Sequence, residues 1–129
     1  AILAQADGMI GMARAAMSTQ QIHHWLNAVW AVVAEANRYF AGEAPWALAK
    51  TDPPRQRTVL YVTAEVIRQI AVLTQPVMPE SSAKLLDSLG IEADARDFAA
   101  LGGATRIKAG TKLPAPVAVF PRYIEPSAA

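Results

Sequence analysis

Trp46 is the residue whose type and placement best suit chemistry other than packing. It follows Gly42-Glu43-Ala44-Pro45, where one helical pattern ends and another begins, so its ring can be held rigid and still be reached. An unpaired base stacked on such a ring gains about 1 to 3 kcal/mol, and the stiffness of Pro45 limits the entropy lost on binding. The residues alone leave a second reading open, and on balance favour it: the indole as a core plug beneath the turn. Lys50, one turn onward, is a cation suited to holding a neighbouring phosphate. Asn37, Arg38 and Tyr39 lie on the preceding helix, one and a half to two turns before its end; there Tyr39 would pack, Arg38 stay solvated and Asn37 bond locally across the junction.

Nothing in the chain reads as catalytic. His23 and His24 are the two histidines, and adjacent helical positions diverge by about 100 degrees, so they do not converge on a metal as an i, i+4 pair would. Cysteine is absent, which removes disulfides, thiolate ligands and thiol nucleophiles. Ser18, Ser81, Ser82 and Ser127 lack the glycine context of a nucleophile elbow, and the carboxylates are scattered singly. Gly110-Thr111-Lys112 reverses the order of a phosphate-binding loop. Arg106, Lys108 and Lys112 form a small basic run that reads more readily as a solvated loop than as an RNA contact. Twelve basic against eleven acidic residues give a net charge of +1, too little for a protein that coats phosphate, so any nucleic-acid binding must be local.

The elements around Trp46 follow from periodicity. At 129 residues and 53% apolar composition the chain suits one all-α unit. A helix is predicted over residues 2–17. A second, reaching residue 41, starts at a Ser18–Gln21 capping box, buries Ile22, Leu26, Val29, Val33, Ala36 and Phe40, carries Trp25 and Trp30 beside that stripe, and ends at a left-handed Gly42. A short helix spans 45–50. Asp52 caps a third long one, apolar nearly all round and therefore central, which Pro76 and Pro79 stop. Shorter helices follow over 81–89 and 94–101. Residues 1–101 thus form a bundle and 102–129 an extended tail rich in Gly and Pro. The apolar runs 28–34 and 70–73 fall far short of a bilayer span, no secretory signal opens the chain, and a cytoplasmic location is expected. No Met stands at residue 1 and helical periodicity begins at once, as in a piece starting inside a larger architecture.

Read together, Ala36-Asn37-Arg38-Tyr39, Ala44-Pro45-Trp46, Leu48, Lys50, Val59-Leu60-Tyr61 and Pro76-Val77-Met78-Pro79-Glu80 closely resemble the anticodon-binding domain of bacterial methionyl-tRNA synthetases. The resemblance runs from the second helix to Phe120-Pro121-Arg122. It implies the helical bundle of class I synthetases of this subgroup, with Pro45 and Trp46 meeting the anticodon and the indole stacking on its first base, a cytosine. Lys50, Arg38 and Asn37 would support nearby RNA. The partner implied is the anticodon loop of methionine tRNA, with CAU as the sequence read. The family's Asn-x-x-x-Arg pair, on the first helix of the domain, has no match before residue 18, so that helix is expected to be missing. The catalytic half, with its His-Ile-Gly-His-type and Lys-Met-Ser-Lys-Ser-type signatures, its ATP and any zinc-bearing insertion, is likewise outside this chain. No cofactor is expected here, and this chain by itself is not expected to be catalytic. The tail would return to that half, and the absence of a dimerising domain is compatible with a monomeric parent. Two alternatives accompany this reading: the equivalent domain of a leucyl, isoleucyl, valyl or cysteinyl synthetase, and a helical protein-interaction module that does not bind RNA.

Overall fold

Alanine spacing in the first segment decides how closely it packs. In the computed structural model, which describes residues 1–127, helix α1 runs Ile2–Ser18 and buries Ile2, Ala6, Met9, Ala13 and Ala16. These positions recur at threes and fours, so they form one stripe, and its alanines let a neighbouring helix approach. That neighbour is α2, Ile22–Glu43, which buries Trp25, Ala28, Val29 and Val32.

The α1–α2 link differs from the expected capping box. Ser18 Oγ donates back to Ala15 O at 2.8 Å and closes α1, while Gln21, at the start of α2, makes no capping bond with its side chain. Instead Gln20 takes a left-handed φ of 58°, and Gln21 N and Gln20 N donate to Ala16 O and Met17 O. This is the paired closure usually built on glycine. The expected stripe is also displaced: of its residues only Val29 is fully buried, Leu26, Val33, Ala36 and Phe40 are half-buried, and Ile22 is half exposed because a first-turn side chain leans back past the turn.

Helix α3, Pro45–Thr51, is the short element expected after α2, and α4, Pro53–Thr74, is the central one. α4 touches α1, α2, α3 and α5. As expected, Asp52 caps it, its Oδ1 accepting from Arg55 N at 3.1 Å, while Pro53 fills a position that needs no N–H. α4 is not apolar all round. Leu60 is exposed, and Glu65, Arg68, Gln69 and Thr74 are buried beside Val59, Val66, Val72 and Leu73.

Helix α5 spans Pro79–Ser88, beginning two residues before the expected start because proline suits a first helical position. The single helix expected over 94–101 is two 3-10 turns, Ala93–Ala95 and Phe98–Ala100. Arg96 breaks it: its guanidinium bonds Ile91 O and Asp87, and its own carbonyl accepts from Gln75 Nε2 at 2.7 Å. The tail divides in two. Residues around a third turn, Gly103–Thr105, are pinned to α4, whereas 113–127 is extended, with Leu113, Val117, Phe120, Tyr123 and Ile124 all exposed. Residues 128 and 129 of the expected tail lie outside the described residues. No strand occurs among the described residues, and no helix among them is long and apolar enough to cross a membrane.

Candidate nucleic-acid interface

The α2–α3 junction is made by Ala44 and Pro45. A residue before proline is pushed out of the right-handed helical region, so α2 cannot continue through Ala44. Ala44 accordingly takes φ 45°, ψ 63°, and it, not the Gly42 of the sequence reading, is the left-handed residue; Gly42 remains within α2. Ala44 N closes α2 on Phe40 O at 3.1 Å, and Ala44 O receives Ala47 N at 2.8 Å to open α3. One residue therefore ends one helix and starts the next.

This bend settles where Trp46 stands. Pro45 is buried and anchors α3, while Trp46 at the next position is 64% exposed, so the core-plug reading fails. The indole meets the Phe40 ring edge to face, centroids 6.0 Å apart, a geometry that steadies it while leaving area free. Lys50, four residues on along the same helical face, is exposed in the last turn of α3. Asn37 and Arg38 are exposed on α2, and Tyr39 packs as expected. Asn37 departs from expectation: its side chain is exposed and makes no hydrogen bond among the described residues, across the junction or otherwise. Arg38 Nη1 holds Glu35 at 2.6 Å, but an exposed pair of this kind contributes little.

Two residues at the junction were not visible in the sequence. Arg55, at the start of α4, donates from Nε to Glu43 Oε2 at 3.0 Å and from Nη2 to Glu43 Oε1, joining the last residue of α2 to α4 across all of α3. This hydrogen bonding holds the Glu43 carboxyl below its ordinary range and raises the Arg55 guanidinium, while burial, with Glu43 adding, pushes the Tyr39 phenol up. Their separation of twelve residues matches no helical or strand periodicity, so no pattern flags the pair.

The remaining candidates lie elsewhere. Arg106 is not a solvated loop residue: its Nη2 holds Asp7 at 2.7 Å, and it lies beside Glu65. It lines a cleft of about 680 Å³ with Arg68 and Lys108 facing Glu92, Asp94 and Asp97, mixed in charge and sharing no residue with the junction. The rings of His23 and His24 lie 4.2 Å apart, closer than adjacent helical positions imply, and no group of three or more potential metal ligands occurs among the described residues.

Residues 1–128 match a family model described as the anticodon binding domain of methionyl tRNA ligase. The chain is 60% identical over 128 residues to a methionine–tRNA ligase of Rhizobium meliloti, covering 99% of this chain and 25% of that protein. It is 48% identical to one of Mycobacterium bovis, covering 98% of this chain and 25% of the other. Among solved structures it is similar to the free-state methionyl-tRNA synthetase of Mycobacterium tuberculosis, with TM-score 0.90, 46% identity, and coverage of 97% of this chain and 26% of that one. The chain spans about a quarter of the length of the curated relatives it matches.

Proposed function

Since the chain belongs to the family of methionyl tRNA ligase anticodon-binding domains, we propose that it reads the CAU anticodon loop of methionine tRNA, with the Trp46 indole stacking on the first base. The observation that carries this reading is a tryptophan 64% exposed beside a buried proline, where a core residue would be sealed. Family membership favours methionine over the leucyl, isoleucyl, valyl and cysteinyl alternatives. Unpaired loop bases are open to stacking in a way that paired bases are not. Lys50 is the cation nearest in sequence to Trp46 on the same helical face, and the exposed Asn37 and Arg38 assist nearby backbone.

The whole ligase would join methionine to tRNA using ATP bound outside this chain, with any zinc there too, as a monomer in the cytoplasm. Its catalytic half would cover the exposed apolar residues of 113–127. Replacing Trp46 with Ala in the intact ligase should weaken use of tRNA about 5- to 150-fold, the equivalent of about 1 to 3 kcal/mol of stacking, and leave methionine activation unchanged. Equal loss in both assays would overturn the role. The rival, a protein-interaction module, predicts no affinity for any RNA hairpin and complexes insensitive to salt.

A further inference from the structure

Resting on that reading of Trp46, we propose that Glu43 and Arg55 are a positioning pair: their two-pronged ion pair locks the bend on which the indole is presented. Three observations converge. First, the pair joins the residue that ends α2 to the third residue of α4, closing the segment that contains Ala44, Pro45, Trp46 and Lys50. Second, Ala44 holds a left-handed conformation that a residue with a Cβ adopts at a cost, so the bend must be held by its surroundings. Third, α3 has seven residues, too few to hold its own axis, and therefore takes its direction from its two ends.

Both side chains remain partly exposed, with relative side-chain exposure of 45% for Arg55 and 27% for Glu43. A pair this wet contributes little to global stability. Its effect falls instead on the orientation of a short helix, where two parallel bonds fix an angle that one bond leaves free. The pair thus lowers the ordering that RNA would otherwise impose on the platform.

The test uses the whole chain in two arms. In the absence of RNA, the order parameter of the Trp46 indole N–H, assigned by its loss in Trp46→Phe, is compared among wild type, Glu43→Gln, Arg55→Lys and the reversed pair Glu43→Arg/Arg55→Glu. The single variants should loosen the indole with melting temperatures close to wild type, and the reversed pair should restore its order. An indole equally ordered in every variant overturns the pair's role and leaves the stacking reading intact.

The second arm titrates a CAU-bearing hairpin. Each single variant should bind roughly two- to tenfold more weakly, the range set by ordering one long side chain, and the reversed pair should recover most of the loss. Tighter binding by Glu43→Gln would mean that Arg55 is a phosphate contact held back by Glu43, which also overturns the proposal. If Trp46→Ala binds the hairpin as wild type does while the single variants loosen the indole, the stacking reading fails and the mechanical role of the pair stands.

Discussion

At the scale of single residues, the proposed binding rests on one exposed ring and the charges around it. If stacking is the interaction, Trp46→Phe should keep part of the hairpin affinity that Trp46→Ala loses, because a smaller ring still offers a face; a titration that ranks the two variants equally would count against it. The Glu43–Arg55 pair gives a pH signature. The groups around Glu43 are Arg55 and, on its own helix, Tyr39; Asp52 also faces Arg55. Because Arg55 lowers the Glu43 pKa, the pair is fully formed above the ordinary carboxylate range and is lost as pH falls through the lowered value. Order of the Trp46 indole, followed by NMR from neutral to acidic pH, should therefore hold at neutrality and drop only well into the acid range, and Glu43→Gln should abolish that transition.

At the scale of elements, the ends of helices govern where the ring points. Asp52 caps α4 at the far side of the bend, so Asp52→Ala should cost about 1 kcal/mol in denaturant unfolding. Ala44 sits at the near side. Ala44→Gly would remove about 1 to 2 kcal/mol of left-handed strain and add about 0.4 to 1 kcal/mol of chain entropy to the unfolded state, for a net gain of about 0.5 to 1 kcal/mol. The same change frees the bend, so hairpin affinity should fall while stability rises. Stability and affinity moving together would show that Ala44 acts only through folding.

At the scale of the molecule, the polar core of α4 ties the start of the chain to the segment after the bundle. Arg68 bonds Glu65 at 2.7 and 3.0 Å and Ala100 O at 2.6 Å; Gln69 bonds Asp7 and Glu65; Ile107 N donates to Glu65 and Tyr61 OH to Ile107 O. Removing one member of a buried pair strands the other, so Arg68→Ala should cost about 3 to 5 kcal/mol, read by chemical unfolding, and release residues 103–107. Helical periodicity, the Asp52 cap, the prolines and the family motif were legible in the sequence because each is a local pattern: a spacing of three or four, a capping side chain, a missing N–H. Those features already determined an all-helical chain with Trp46 at a junction. Whether the indole was sealed or open, that Ala44 and not Gly42 makes the bend, that Arg106 turns inward, and that Glu43 finds Arg55 were decided only by the tertiary structure. Each depends on which distant residues come within a few ångströms once the helices pack, and no local spacing records that.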